Sequence, residues 1–147
     1  MQSLDLLRTL YGDVFIPPAV KEEINKLGEK GVDISIFQNA TWIIIQPPLD
    51  HLKVDQLRQK LDQGEAEAIV LAIELHADFL LIDELLGRQE ATSQGLAVVG
   101  TLGILLKIKQ NGYISEIKPM IDTLRSRGFW IQNSLYDHVL RLAGESD

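Results

Sequence analysis

DQGEAEAIVLAIELHADFLLIDELLGR, residues 62–88, is the stretch from which the fold is read. It opens as an acidic helix start and continues as an apolar helix. Over residues 64–77, Glu65, Glu67, Glu74 and His76 are nearly the only polar positions. A helix this apolar is covered on more than one side. After a break at His76-Ala77-Asp78, the run Phe79-Leu80-Leu81-Ile82 reads as a short strand buried on both faces. Asp83 and Glu84 follow at once. In open α/β sheets ligands bind outside the carboxyl ends of the strands, so two carboxylates at that point are placed for chemistry.

Working back from this stretch, residues 51–61 predict a more polar helix with Leu52, Leu57 and Leu61 facing in. Before it, Trp42-Ile43-Ile44-Ile45 predicts a strand ended by Pro47-Pro48, reached through a polar connection over 28–39 with a short turn at 34–37. Val14-Phe15-Ile16 predicts another strand, closed by Pro17-Pro18, and proline suits the first position of a helix. That helix has Val20, Ile24 and Leu27 at i, i+4, i+7. Glu23 lies about 60° from Val20 on the helical wheel, at the edge of the buried face, whereas Glu22 lies about 160° away and is solvated. Residues 2–11, with Leu4, Leu7, Leu10 and Tyr11 at helical spacing, predict a first helix stopped by Gly12.

Working forward, residues 85–94 predict a helix ended by Gly95, and Leu96-Ala97-Val98-Val99 the next strand. Gly100-Thr101-Leu102-Gly103 then leads into a helix ending near Asn111-Gly112. Thr101 is expected to cap it; the alternative is that Gly100 and Gly103 let a phosphate approach the free amides. The tail over 115–145 reads as two helices with Phe129-Trp130-Ile131 between them. Lys118, Arg125 and Arg127 are either a solvated face or phosphate contacts. Strands alternating with helices at this spacing imply right-handed βαβ units and a parallel sheet, hence an α/β fold. The length of 147 residues suits one domain, with 113–147 as its C-terminal helical extension.

The chain has no cysteine, which removes disulfides, zinc-thiolate sites and cysteine nucleophiles and fits a reducing cytoplasm. Asp5 and Arg8 interrupt the apolar pattern of the first residues, so no signal peptide is expected, and no apolar run approaches a membrane span. A net charge of −7 argues against a plain nucleic-acid-binding module, which is usually basic. It argues less against a nuclease, where carboxylates hold a divalent cation that reverses the local sign.

Four carboxylates are candidates to converge: Glu23, Glu67, Asp83 and Glu84. Asp62 and Glu65 have capping-box spacing, which gives Glu65 a structural role. Glu65 and Glu67 lie about 200° apart on the wheel, so a regular helix does not aim both into one site. Clustered carboxylates repel unless a cation joins them, and all-oxygen ligands select Mg²⁺ or Mn²⁺. The three histidines, His51, His76 and His138, have no metal-ligand spacing. These residues imply a hard-metal site in an α/β domain but do not name a substrate.

The order IPPAVKEEI, LDQGEAEAIVLAIELHADFLLIDELLGR, GLAVVGTLGILLKIKQNGYI resembles the PIN-domain family over nearly the whole chain, in a branch related to VapC-type toxins. The combination of GEAEAI, an ID-acid-xxGR turn and GTLGxLL at these spacings carries the resemblance. It implies a three-layer α/β/α fold with a mostly parallel sheet, and metal-dependent ribonuclease activity on RNA. It places the family's acids on Glu23, Glu67 (with Glu65 beside it), Asp83 and Glu84, as Mg²⁺ or Mn²⁺ ligands and catalytic groups. It also implies a small antitoxin partner and a homodimer. PIN proteins begin with a central strand ending in Asp, and the present sequence starts at the helix that follows. Either the true start lies upstream or this is a shortened relative with impaired metal binding. The expected function is therefore an endoribonuclease toxin; the alternative is an impaired module acting through protein binding. A phosphatase-like hydrolase with Asp83 as nucleophile is a weaker third, because its partner motifs are missing.

Overall fold

The short apolar runs become parallel strands. Val14–Ile16 (β1) pairs with Ile43–Ile45 (β2) in the register Val14↔Ile43, Phe15↔Ile44, Ile16↔Ile45. Leu80–Leu81 (β3) pairs with Val98–Val99 (β4), also parallel. The structure is a computed structural model that describes residues 2–126, 128 and 131–145, the side chains of 2–6 and 36 excepted. Leu4, Asp5, Arg127, Phe129 and Trp130, singled out above, lie outside what it describes in that sense. The helices are Gln2–Tyr11 (α1), Pro18–Glu29 (α2), Ser35–Asn39 (α3), His51–Leu57 (α4), Gln63–Leu75 (α5), Leu85–Ser93 (α6), Thr101–Gln110 (α7), Lys118–Ser126 (α8) and Asn133–Leu142 (α9). The fold is mixed α/β with parallel strands, as expected. Among the described residues the strands form two separate pairs, with no ladder joining β1–β2 to β3–β4.

The chain divides into two compact units, Met1–Val99 and Gly100–Asp147. The boundary precedes α7, so α7 groups with the helical tail rather than with the strands.

In the first unit α5 is the hub. Ala66, Ile69 and Val70 on α5 are almost fully buried against Val54, Leu57 and Leu61 on and after α4, Ile82 after β3, and Ala91 of α6. Two expectations are corrected here. Leu52 points outward at 76% exposure, and Val54 takes the inward place, three residues before Leu57 on the same face. The run 79–82 is not buried on both faces: Phe79 and Leu81 are each 49% exposed, and Ile82 alone is buried. Leu80 and Ile82 face the core around α5, and the alternate side chains Phe79 and Leu81 lie on the opposite face, where Phe79 meets the Tyr11 ring edge-on.

α5 stops at His76, whose φ of 51° lies in the left-handed region, while the amide of Ala77 donates back to the carbonyl of Ala72. A side chain there costs energy that glycine avoids. His76→Gly is expected to stabilise the first unit by about 0.5–1 kcal/mol, read as a higher urea midpoint at unchanged m-value.

The second unit buries Leu105, Ile117, Ile121, Ile131, Val139 and Leu140. Thr101 does not cap α7; it is the first helical residue, Gly100 occupies the cap position, and no side-chain cap bond forms. Arg125 is committed internally, donating to Asn133 Oδ1 at 2.7 Å and lying 4.4 Å over the Tyr136 ring. Lys118 pairs with Asp122 at 2.8 Å. Glu145 closes the unit, accepting from the amides of Ile117 at 2.9 Å and Lys118 at 3.0 Å and from Lys109 Nζ at 3.0 Å.

Burial pushes the Glu145 carboxyl up, but the two amides and the Lys109 ammonium outweigh it and hold it below the usual carboxylate range. A carboxylate with a depressed folded pKa contributes stability that is present above its unfolded pKa and lost as pH falls through the folded one. Glu145→Gln is expected to cost the second unit about 2 kcal/mol at neutral pH. That difference from the parent should shrink toward zero as pH drops below the carboxylate range, measured by thermal unfolding across pH.

Candidate functional site

The acids of the first unit are placed by the start of α5. Asp62 accepts from the amide of Glu65 at 2.8 Å, and Glu65 Oε1 accepts from the amide of Asp62 at 3.3 Å. This is the expected capping box, and it satisfies two helix-end donors reciprocally. The other oxygen, Glu65 Oε2, is buried without a hydrogen-bond partner among the described residues. It lies against Gly87 of α6, where a Cβ would meet Ile82 Cδ1 at 2.5 Å and this oxygen at 2.8 Å. Glycine at 87 is therefore what lets α6 approach the carboxylate. Burial, followed by the charges of Asp62 and Glu84, raises the Glu65 pKa against the lowering effect of its backbone bond.

Glu23 on α2 reaches the same edge of α5 from the other side. Its carboxylate sits where a Cβ on Gly64 would be. Burial and the nearby Asp62 charge raise its pKa, with Lys26 opposing. Asp83 and Glu84 follow β3 as expected, and both are exposed. Glu23, Asp62, Glu65 and Glu84 thus form a line of electrostatically linked acids along the N-terminal edge of α5. Asp62 belongs to that line although it was assigned only a capping role above.

Glu67 goes elsewhere. Its Oε1 accepts from the amide of Ala19 at 3.1 Å, and its Oε2 accepts from the Gln63 side chain. The reason is legible in α2. Pro17 at the cap position supplies no side-chain acceptor, Pro18 has no amide, and the amides of Val20 and Lys21 reach the carbonyl of Pro17. That leaves the Ala19 amide needing an acceptor from outside the helix. A carboxylate there also faces the positive end of the α2 dipole.

Two turns along α5, Glu74 does the same for the chain after β2. It accepts from the amides of Leu49 and Asp50, each at 2.8 Å in its shortest contact. Sequence reading missed this residue, although Pro47-Pro48 before α4 repeats the double proline before α2.

Of the four expected site residues, Asp83 and Glu84 are neighbours, Glu23 joins the acid line through Asp62, and Glu67 turns to the start of α2. Among the described residues no three Asp, Glu or His side chains stand close enough to share a metal ion. Mg²⁺ and Mn²⁺ can be held by one or two carboxylates with water completing the octahedron, and Asp83 and Glu84 are the exposed adjacent acids for that arrangement. Acids on one edge, two of them with raised pKa, are suited to accepting protons or steering a cationic group.

The DUF3368 family, described as a PIN domain, matches the chain over residues 1–145. No curated protein and no solved structure matches it. No helix among the described residues is long and apolar enough to cross a membrane.

Proposed function

Because the chain belongs to a PIN-domain family, we propose that it is an endoribonuclease module, the toxin of a toxin–antitoxin pair, working in the cytoplasm as a homodimer held in check by a small antitoxin. PIN domains point to nuclease-type function on RNA and are generally divalent-metal dependent. The observation that supports the finer reading is the exposed Asp83-Glu84 pair directly after β3, beside the acid line that ends in Glu23. In this reading Asp83 and Glu84 act on the scissile phosphodiester and its attacking water, and Glu23 tunes the local charge. Mg²⁺ or Mn²⁺ is the cation the family calls for, and Asp83 and Glu84 are the acids that would hold it, with water completing its shell.

A second reading has one observation in its favour. The helix acids Glu65 and Glu67 are both committed to backbone amides, which leaves fewer groups for chemistry than a nuclease centre uses. In that case the chain is a catalytically impaired PIN module acting through protein binding.

The purified chain, incubated with a structured RNA, is expected to cleave it in Mn²⁺ and to stop when the metal is chelated. Intact RNA under both conditions, from a folded preparation, would favour the binding module.

A further inference from the structure

The two carboxylates on one stripe of α5 meet two equivalent points of the fold. Glu67 and Glu74 are seven residues apart, so they project from the same face about 10 Å apart along the axis. β1 and β2 are neighbouring parallel strands in register, and a double proline follows each, Pro17-Pro18 directly after β1 and Pro47-Pro48 one residue after β2. Proline carries no amide and no side-chain acceptor, so α2 starts without a side-chain cap, whereas α4 is capped by Asp50. In each case the first amides after the prolines donate to an α5 carboxylate: Ala19 to Glu67 at 3.1 Å, and Leu49 and Asp50 to Glu74 at 2.8 Å.

We infer that Glu67 and Glu74 are a matched pair of clamps that pin the carboxyl ends of β1 and β2 to α5, and that Glu67 is a fold-holding residue rather than a cation ligand in this chain. Glu74 supplies the internal comparison. It makes the same kind of bond at the equivalent place, and no metal chemistry is needed to explain it.

Each oxygen of Glu67 already accepts one hydrogen bond, Oε1 from the Ala19 amide and Oε2 from the Gln63 side chain. Each oxygen keeps a second lone pair, so what commits Glu67 to the fold is that the Ala19 bond holds its carboxylate at the start of α2. An unsatisfied buried donor is penalised more than a bond is rewarded. The inference concerns the fold alone and stands whether or not the chain cleaves RNA.

The test uses the whole chain, Glu67→Ala, Glu74→Ala and Glu67→Gln, melted with millimolar Mn²⁺ or with a chelator, and followed by amide exchange. Glu67→Ala should melt on the order of 5–10 °C lower, and Glu74→Ala, whose bonds are exposed to solvent, by less, each equally with and without Mn²⁺. Ala19 should lose amide protection in Glu67→Ala, and Leu49 and Asp50 in Glu74→Ala, each selectively. Glu67→Gln keeps one acceptor oxygen and should retain Ala19 protection, which preserves the readout if an alanine variant does not fold. Mn²⁺ raising the parent's melting temperature by several degrees, with that gain abolished in Glu67→Ala and kept in Glu74→Ala, would overturn the inference. So would rapid exchange of the Ala19 amide in the parent.

Discussion

Ile69→Ala is expected to cost the first unit about 3–4 kcal/mol, among the largest effects of any single substitution in this chain. Ile69 is fully buried on α5, at the point where α4, α6 and the chain after β3 meet it. Removing its outer carbons loses their transfer energy and leaves a cavity that α4, α6 and the chain after β3 cannot readily collapse into. Small domains have total stabilities of about 5–15 kcal/mol, so the loss takes a large share. Thermal unfolding should show a midpoint roughly 15–25 °C lower. Ile69→Val, which removes one methyl group, should cost about 1 kcal/mol. Equal costs for the two variants would mean that α5 is not the packing centre of the unit.

Asp83→Asn is the substitution expected to cut RNA cleavage most without touching the fold. Asp83 is exposed, and exposed polar substitutions usually change stability by less than about 0.5 kcal/mol. The proposed function puts its charge at the reacting phosphodiester, where losing a positioned acid–base group lowers rates on the order of 100-fold or more. The expected result is therefore a cleavage rate down by about two orders of magnitude, with the melting temperature changed by only a few degrees. Unchanged cleavage would remove Asp83 from the reaction.

These two predictions rest on parts of the molecule that the sequence reveals to different degrees. The hub was legible because the evidence is local: apolar density on α5, the Asp62–Glu65 capping box and two acids directly after a β-branched or leucine-rich run are all readable within a few residues. The strands were legible for the same reason, as short apolar runs ended by proline, glycine or acid. Burial of β3 was not, because it depends on what packs on each face, and α5 covers only the face of Leu80 and Ile82 among the described residues.

The role of Glu67 was the least visible. Its partner Ala19 lies 48 positions away, and wheel geometry around Glu67 reports crowding without saying by what. One signal was present and passed over. A helix that starts after Pro-Pro without Ser, Thr, Asp or Asn to cap it must borrow an acceptor from elsewhere, and the strongest acceptors nearby are the glutamates of an otherwise apolar helix. The exchange of Leu52 for Val54 in the core has a simpler origin. α4 ends at Leu57, so a wheel drawn through residue 61 averages a helix with the turn that follows it.

The account divides the acids of this chain into those that hold backbone and those left for chemistry. The measurement that tests this most directly is the Mn²⁺-dependent cleavage rate of Glu67→Gln beside the parent, taken well below both melting temperatures. The expected result is a melting temperature lowered modestly by the lost charge at the start of α2, with cleavage retained, because Glu67 holds backbone and does not act on RNA. Cleavage abolished at an unchanged melting temperature would contradict it and place Glu67 at the reaction centre.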